Sequence, residues 1–275
     1  MATELREFAY APRDFARVRQ LIHQRAGIAL AEGKAEMVYS RVAKRVRALG
    51  LATFAEYLSI LDDDQHPEWE HFVNSLTTNQ TDFFREAHHF PILAAHATSL
   101  GRELRIWSAA SSTGEEPYSI AITLCEAFGT FEPPVRILAT DLDSKVLATG
   151  REGIYPMERV ETVDDERLKR FFLKGKGSKA GHARVREELR ALVEFRPINL
   201  RETRWDVEGP FDAIFCRNVL IYFDKPTQRG VLERLATRLA PDGLYFAGHS
   251  ESLLHASDLF VPRGRTVYGK SGGSA

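Results

Sequence analysis

The sequence has few of the features that mark a secreted, membrane-spanning or nucleic-acid-binding protein. It contains only two cysteines, Cys125 and Cys216, each within an apolar run, so we expect no disulfide framework and a reducing compartment. It has no run of about 18 consecutive apolar residues. Charges interrupt the first residues, so no signal peptide is expected. We therefore expect a cytoplasmic protein without direct membrane insertion.

Net charge is almost absent as well. The 275 residues include 37 Lys and Arg against 38 Asp and Glu, which gives a formal net charge of −1. Because a dedicated nucleic-acid-binding protein is usually basic, we expect no nucleic-acid partner. The hydrophobic fraction of 44% is typical of a globular chain that buries one or two cores.

Residues 1–75 show apolar spacings of three and four and no convincing strand, which predicts a small all-α domain. Helices are predicted up to Gly27 and over residues 34–49, 54–61 and 69–76. In the second helix, three valines and Leu49 form one apolar stripe, and Gly50 ends it.

From about residue 100, strands alternate with helices. Strands are predicted at 104–110, 135–140, 192–196, 211–216 and 244–248, and helices at 116–128, 144–150 and 226–239. This alternation, with strands that are apolar on both faces, predicts a doubly wound, mostly parallel α/β sheet over 96–275. A turn is predicted at 241–243.

One stretch, 164–192, does not follow this alternation. It combines a short helical pattern, a glycine-rich segment and the alternating run REELRALVEF. Glycines next to alternating apolar residues favour a small antiparallel β-subdomain inserted between elements of the sheet.

Ligand-binding residues are expected after the strands, because doubly wound sheets bind ligands at their carboxyl ends. Small residues at 108–114 allow a close backbone approach, although an ordinary strand–helix turn is the alternative. This loop lacks the pattern GxGxxG, which disfavours NAD. Asp141 is placed to accept the hydroxyls of a ribose; Asp143 is the alternative, and helix capping is the simpler role of either.

The next two strands also end in candidate residues. Asn199 and Leu200 follow one strand, and Arg217 and Asn218 follow the other. No metal site is expected, because neighbours such as His88 and His89 point about 100° apart on a helix. No Cys/His ligand pattern accompanies them or His249.

Several long motifs, in the same order, resemble the CheR family of chemotaxis receptor methyltransferases. They are TTNQTDFFREAHHF (77–90), RIWSAASSTGEEPYSIA (105–121), ATDLD (139–143), FDAIFCRNVLIYF (211–223) and PDGLYFAGHSES (241–252). The resemblance implies a Rossmann-like class I methyltransferase sheet. It also implies methyl transfer from S-adenosyl-L-methionine to glutamates of bacterial chemoreceptors, which forms methyl esters and leaves S-adenosyl-L-homocysteine.

The resemblance further implies roles for matching residues. An interdomain linker over 76–95 would bring Asn79, Thr81 and Arg85 to the cofactor site. The other cofactor-binding residues would be Glu116, Asp141, Asn199, Leu200, Arg217 and Asn218. Arg85 and Tyr222 would lie nearest the transferred methyl group. Two alternatives stay open: Glu115 can replace Glu116, and Arg85 can hold either the substrate or the cofactor's carboxylate.

Two surfaces are candidates for binding the receptor. Arg41, Lys44, Arg45 and Arg47 surround the valine stripe; they form either a solvated helix face or a basic patch that guides an acidic helical receptor segment.

The glycine-rich segment is the second candidate. Gly175, Gly177 and Gly181 resemble the pattern of family members whose β-subdomain binds the receptor's C-terminal tail by strand addition. A flexible surface hairpin is the simpler interpretation.

Two other functions use the same fold. A small-molecule or RNA methyltransferase would act without a receptor, and a non-catalytic module would bind the receptor without transferring a methyl group. The intact set of implied cofactor and catalytic residues favours the enzyme, which we expect to be recruited from the cytoplasm to membrane receptor clusters.

Overall fold

The computed structural model describes residues 6–272, which form two compact units. One unit comprises the chain up to Thr78 together with Tyr222–Thr227. The other comprises Asn79–Ile221 and the chain from Gln228 onward. Within residues 6–272, no helix combines the length and apolar character needed to cross a membrane.

The first unit is helical, as predicted. Its helices are α1 (Pro12–Ala26), α2 (Ala35–Ala48), α3 (Phe54–Ile60) and α4 (Glu68–Leu76). The valine stripe of α2 is fully buried, whereas Leu49, predicted on the same stripe, is 41% exposed. The prediction for Leu49 was wrong because α2 ends one residue earlier.

A buried ion pair joins three of these helices. Glu68 of α4 is 3% exposed, and Arg45 of α2 donates to its two carboxylate oxygens at 2.7 and 2.8 Å. The Tyr57 hydroxyl of α3 donates to the same carboxylate at 3.0 Å. Two donors therefore compensate a carboxylate that has lost its water.

The second half of the chain alternates strands and helices. The helices are α5 (His89–Leu100), α6 (Glu115–Phe128), α7 (Ser144–Glu152), α8 (Asp165–Phe171), α9 (Glu187–Ala191) and α10 (Lys225–Arg238). The strands are β1 (Leu104–Ala109), β2 (Val135–Asp141), β3 (Ile154–Pro156), β4 (Phe172–Lys174), β5 (His182–Val185), β6 (Val193–Pro197), β7 (Phe211–Cys216), β8 (Leu239–Ala247), β9 (Phe260–Gly264) and β10 (Val267–Lys270).

The main sheet has the order β6-β2-β1-β7-β8-β10-β9. The pairs from β6 to β8 are parallel, and β10 is antiparallel to both of its neighbours. The doubly wound, mostly parallel sheet is therefore confirmed. Strand order reverses at β1, where Ala109 is level with Thr140 of β2 and Cys216 of β7, so three strands end side by side.

A separate antiparallel sheet of order β3-β5-β4 confirms the predicted β-subdomain, with two differences. The sheet includes β3, which precedes the predicted stretch. The run REELRALVEF is not one strand: its first half is α9, which buries Leu189, and the alternating strand pattern begins only at Val193.

The predicted turn at 241–243 was also wrong, because β8 continues through it with a bulge. Phe211 pairs with Leu239 and Ala213 with Leu244, so extra residues of β8 lie between the two pairs. Gly243 permits this course, since a Cβ there would lie 2.9 Å from the Phe211 carbonyl oxygen.

Replacing Arg45 should destabilise the helical unit. In Arg45→Ala, Glu68 keeps a buried charge without its cation, so we expect a loss of about 3 kcal/mol in the free energy of unfolding. Urea unfolding followed by circular dichroism measures it. Arg47→Ala is the matched control: Arg47 lies on the same helix but pairs with Glu7 at the surface, and its unfolding midpoint should stay unchanged. Equal midpoints for the two variants would contradict the structural role of Arg45.

Candidate functional site

Backbone strain marks one end of the main sheet. The non-glycine residues with positive φ in the described part of the chain are Phe84, Glu86, Ala110, Ser112, Asn218 and Thr266, with φ between 48° and 70°. Ala110 and Ser112 follow β1, and Asn218 follows β7. Left-handed backbone is costly for residues with a Cβ and concentrates at functional sites. The carboxyl end of β1 and β7 is therefore the candidate site.

A buried charge pair lies at this end of the sheet. Arg217, which follows β7, is 6% exposed, and its Nη1 lies 3.2 Å from Oε2 of Glu116 in the first turn of α6. The hydroxyl of Ser108 on β1 donates to Oε1 of Glu116 at 2.7 Å. Burial raises the pKa of Glu116, and the charge of Arg217 opposes this shift.

The neighbouring Glu115 has different partners. Its fully buried carboxylate accepts hydrogen bonds from the Thr113 hydroxyl at 2.6 Å and from the Arg159 guanidinium. The structure thus places Glu116, and not Glu115, beside Arg217.

Asp141 ends β2, and Asp143 follows it with a different role. Asp143 caps α7, since its Oδ1 accepts from the backbone N–H groups of Lys145 and Val146 at 2.9 and 3.4 Å. Asp141 is held by the backbone: the N–H of Ser112 donates to its Oδ2 at 2.8 Å and that of Asp143 to its Oδ1 at 3.0 Å. Burial raises the pKa of Asp141, and these two hydrogen bonds oppose the shift.

The segment before α5 contacts the same strand ends. The side-chain amide of Asn79 donates to Asp143 at 2.8 Å. The backbone carbonyl of Asn79 accepts a hydrogen bond from the Ser112 hydroxyl at 3.0 Å. The carbonyl of Arg85 accepts a hydrogen bond from Arg217. Thr81 lies further along, where its carbonyl accepts from Arg159 at 3.3 Å.

Asn199 and Leu200 follow β6, the neighbour of β2. The preceding Ile198 N–H donates to the Asp141 carbonyl at 2.9 Å, which ties this segment to the end of β2. The predicted cofactor residues of the second unit therefore follow adjacent strands or contact their ends, except Thr81, whose backbone carbonyl contacts Arg159. Tyr222 belongs to the helical unit, where its carbonyl accepts from the Ala29 N–H at 2.8 Å.

Two acidic residues of the site were missed. Glu86 accepts a hydrogen bond from the His249 N–H at 3.0 Å, its other carboxylate oxygen lies 3.8 Å from Arg217, and its side chain is 9% exposed. Burial raises the pKa of Glu86, but the hydrogen bonds from His249 and the charge of Arg217 outweigh it, so the net pKa is lowered.

Glu251 is the second missed residue. It accepts backbone N–H bonds from Gly248 and from all three residues of 218–220, at 2.7 to 2.9 Å. It thus fixes the loops that follow β7 and β8. Both acids lie in the quoted motifs FFREAHHF and FAGHSES, and that position is the sequence signal that could have identified them.

The histidines differ from the prediction that they point apart. His88 precedes α5 and His89 begins it, so the two do not share a regular helix. Their rings lie 4.2 Å apart, and both Nε2 atoms contact the Thr266 hydroxyl, at 3.2 and 2.8 Å. One ligand atom from each and one from Glu86 lie within 4.8 Å of one another. Thr266 gives both rings a structural partner.

The four basic residues of α2 do not form one free patch. Arg41 donates to the carbonyls of Leu76 and Thr77, at 3.3 and 2.8 Å, and so caps the end of α4. Arg45 and Arg47 pair with glutamates, as described above. Lys44 is exposed.

The three glycines of the β-subdomain serve the turn between β4 and β5. Gly177 and Gly181 have φ of 57° and 81°. A Cβ on Gly175 would lie 1.9 Å from the Lys179 carbonyl oxygen, so this glycine allows a close backbone approach. The glycines therefore determine the conformation of the loop, whereas β3 and β4 form the two edges of the small sheet.

The buried His89 should make folding depend on pH. Burial, aided by the charge of Arg217, lowers the pKa of His89 from 6.5 to about 3. Between these values the unfolded chain binds a proton that the folded chain does not, so stability falls as pH falls below 6.5. The free energy of unfolding therefore depends on pH, and we expect the slope of this dependence between pH 6 and 4 to be smaller by about 1 kcal/mol per pH unit in His89→Gln.

Urea unfolding at several pH values measures the slope, and His255→Gln, at an exposed position, is the control that should leave it unchanged. An unchanged slope in His89→Gln would contradict the prediction.

Comparison with known proteins identifies the family. Residues 79–268 match the family described as CheR methyltransferase, SAM binding domain, and residues 13–77 match CheR methyltransferase, all-alpha domain. Chemotaxis protein methyltransferase 2 of Pseudomonas aeruginosa is 58% identical over 265 residues, which cover 95% of this chain and 94% of that protein. Chemotaxis protein methyltransferase of Escherichia coli is 53% identical over 258 residues, which cover 94% of this chain and 90% of that protein. The chain belongs to the CheR family of S-adenosylmethionine-dependent methyltransferases.

Proposed function

We propose that the protein transfers the methyl group of S-adenosylmethionine to glutamate side chains of bacterial chemoreceptors, forming methyl esters. The observation that carries the proposal is a pair of carboxylates at neighbouring strand ends, the partly buried Glu116 beside Arg217 and the buried Asp141 on the backbone of Ser112, in a chain of this family.

The residues at the strand ends fit the chemistry of this cofactor. A carboxylate has about four lone-pair positions, and each oxygen of Asp141 accepts one backbone N–H here. Asp141 therefore keeps acceptor capacity for the two hydroxyls of a ribose. Glu116 offers a second carboxylate at the end of β1, where an ammonium group can be bound.

The reaction needs no general base. The cofactor supplies a methyl group that is already activated, and a glutamate carboxylate is ionised at neutral pH. The residues of this chain therefore have to align the acceptor oxygen and exclude water from it.

Arg85 suits the alignment of a carboxylate, because its guanidinium offers two parallel donors. Its Nη1 donates to the Gln80 carbonyl at 3.2 Å, and the residues on either side have strained backbone. Arg85 is proposed to hold the carboxylate of the substrate or of the cofactor. Tyr222 is proposed to orient the acceptor through its hydroxyl.

Two surfaces are proposed for the receptor. Lys44 and the surface-paired Arg47 supply positive charge for an acidic helical receptor segment, while Arg41 and Arg45 act by holding α2 to its neighbours. The edge of the small sheet, where Leu173 of β4 is 46% exposed, is proposed to bind a receptor's C-terminal tail as an added strand. Both contacts would recruit the enzyme to receptor clusters from the cytoplasm.

The product distinguishes the proposal from other methyl transfers. Incubation with S-adenosylmethionine carrying a labelled methyl group and a receptor cytoplasmic fragment should give label on the receptor that is released by base as methanol. Base-stable label would indicate N- or C-methylation. Label on a small molecule in the absence of receptor would also contradict the proposal, as would cofactor binding with no transfer.

The same assay tests the two receptor surfaces. Lys44→Glu should raise the KM for receptor several-fold at low salt and less at high salt, because exposed charges are screened. Arg136→Glu, a charge reversal at an exposed position on β2, is the control.

An equal KM for receptor fragments with and without the tail would contradict tail binding.

Asp141 should matter more for cofactor binding than Asp143. We expect Asp141→Asn to weaken binding of S-adenosylmethionine about tenfold or more, because hydrogen bonds to a charged acceptor are lost. Asp143→Asn should change it by less than about threefold, since Asn caps a helix as well as Asp. Its NH2 group can donate to the side-chain oxygen of Asn79 once that amide turns over, which replaces the present hydrogen bond from Asn79. Calorimetric titration measures both, and a larger effect at Asp143 would reverse the assignment.

A further inference from the structure

The segment that carries Asn199 and Leu200 has little regular structure of its own. Residues 198–210 join β6 to β7 and contain neither helix nor strand. A connection of this length needs contacts from elsewhere to hold a fixed conformation. Side chains of the segment itself and of α10 supply them.

Trp205 supplies the first contact from within the segment. Its indole N–H donates to the Asn199 carbonyl at 3.1 Å, and the side chain is buried. Its ring packs edge-on against Trp107 of β1, with ring centroids 5.5 Å apart. Trp107 is itself fixed by a hydrogen bond from its indole N–H to the Thr140 hydroxyl of β2, at 3.0 Å. Trp205 thus connects the segment to the two central strands of the site.

Two arginines of α10 complete the arrangement. The guanidinium of Arg234 lies 4.8 Å from the centre of the Trp205 ring, and that of Arg238 lies 5.0 Å from it. Arg234 donates to the Leu200 carbonyl at 2.9 Å, and Arg238 donates to the Val207 carbonyl at 2.9 Å. We call these three residues, Trp205, Arg234 and Arg238, the tryptophan clamp.

The clamp brings two like charges to one ring, which is unfavourable by itself. Partial burial lowers the pKa of both arginines, Arg234 with a further contribution from the charge of Arg238. Cation–π attraction and the two carbonyl contacts have to offset this cost. All of these contacts end on the backbone or the ring of the segment 198–210.

We propose that Trp205 and Arg234 are positioning residues for the cofactor, because they fix the backbone that presents Asn199 and Leu200. The inference rests on the proposed roles of Asn199 and Leu200 in cofactor binding. Neither Trp205 nor Arg234 needs to touch the cofactor. Their effect should appear in cofactor affinity and not in the rate at saturating cofactor.

The experiment compares full-length variants by calorimetric titration with S-adenosyl-L-homocysteine. Arg234→Met removes the charge and the donors but keeps the length, and we expect about tenfold weaker binding, equivalent to about 1.4 kcal/mol. Arg234→Lys keeps a donor for Leu200 and should recover part of the loss. Arg229→Ala lies on the same helix and breaks a surface pair with Asp258, so it should bind as the unchanged protein does.

Comparing the KM for the cofactor with kcat distinguishes a positioning role from a general loss of structure. With a receptor fragment and saturating S-adenosylmethionine, kcat of Arg234→Met should stay within about twofold of the unchanged protein, while the KM for the cofactor rises about tenfold. Hydrogen exchange should increase within 198–207 and not in β1 or β2. Trp205→Phe, which keeps a ring but loses the N–H, provides the same comparison if Arg234→Met does not fold.

Binding within twofold of the unchanged protein in the folded variants would overturn the inference, as would a fall in kcat with unchanged cofactor affinity. Failure of the proposed function looks different. If the unchanged protein binds the cofactor but forms no receptor methyl ester, the proposed function is rejected, while the affinities still decide whether the clamp positions the cofactor segment.

Discussion

The site depends on the charge of Arg217, which is almost completely buried. Its side chain is 3% exposed, and a guanidinium removed from water needs counterions close by. Glu116 supplies one from the start of α6, and Glu86 supplies another from the segment before α5. Through these two pairings, parts of the chain that are distant in sequence meet at the end of β7.

Much of the fold could be predicted, because apolar periodicity reports directly on burial. The strands of the parallel sheet and the four N-terminal helices follow from it. The errors lie where periodicity is ambiguous. The few apolar residues around Leu189 fit a helical turn as well as a strand, and the bulge in β8 depends on how β7 pairs with it. Leu49 was misplaced by the exact end of α2, which a pattern does not define.

The candidate site could be located from the sequence but not resolved. The rule that ligands bind after parallel strands pointed to Asp141 and Arg217, which lie at the ends of the two strands on either side of β1. Sequence does not show which of two adjacent carboxylates faces a strand end, and the contacts of Glu115 depend on the distant Arg159. The sequence likewise does not show whether an arginine is solvated or, like Arg45, pairs with a buried carboxylate.

The segment Tyr222–Thr227 limits how the two units can be exchanged by recombination. Although it follows β7 in the chain, Phe223 pairs with Ile28, and Asp224 lies 2.8 Å from His23 of α1. A gene fragment that begins at Asn79 would encode the complete sheet but leave these six residues without their packing partners. The helical unit and the sheet are therefore not interchangeable modules. Recombination between homologues would have to exchange Tyr222–Thr227 together with α1 and the residues that follow it up to Ala29, or change both in step.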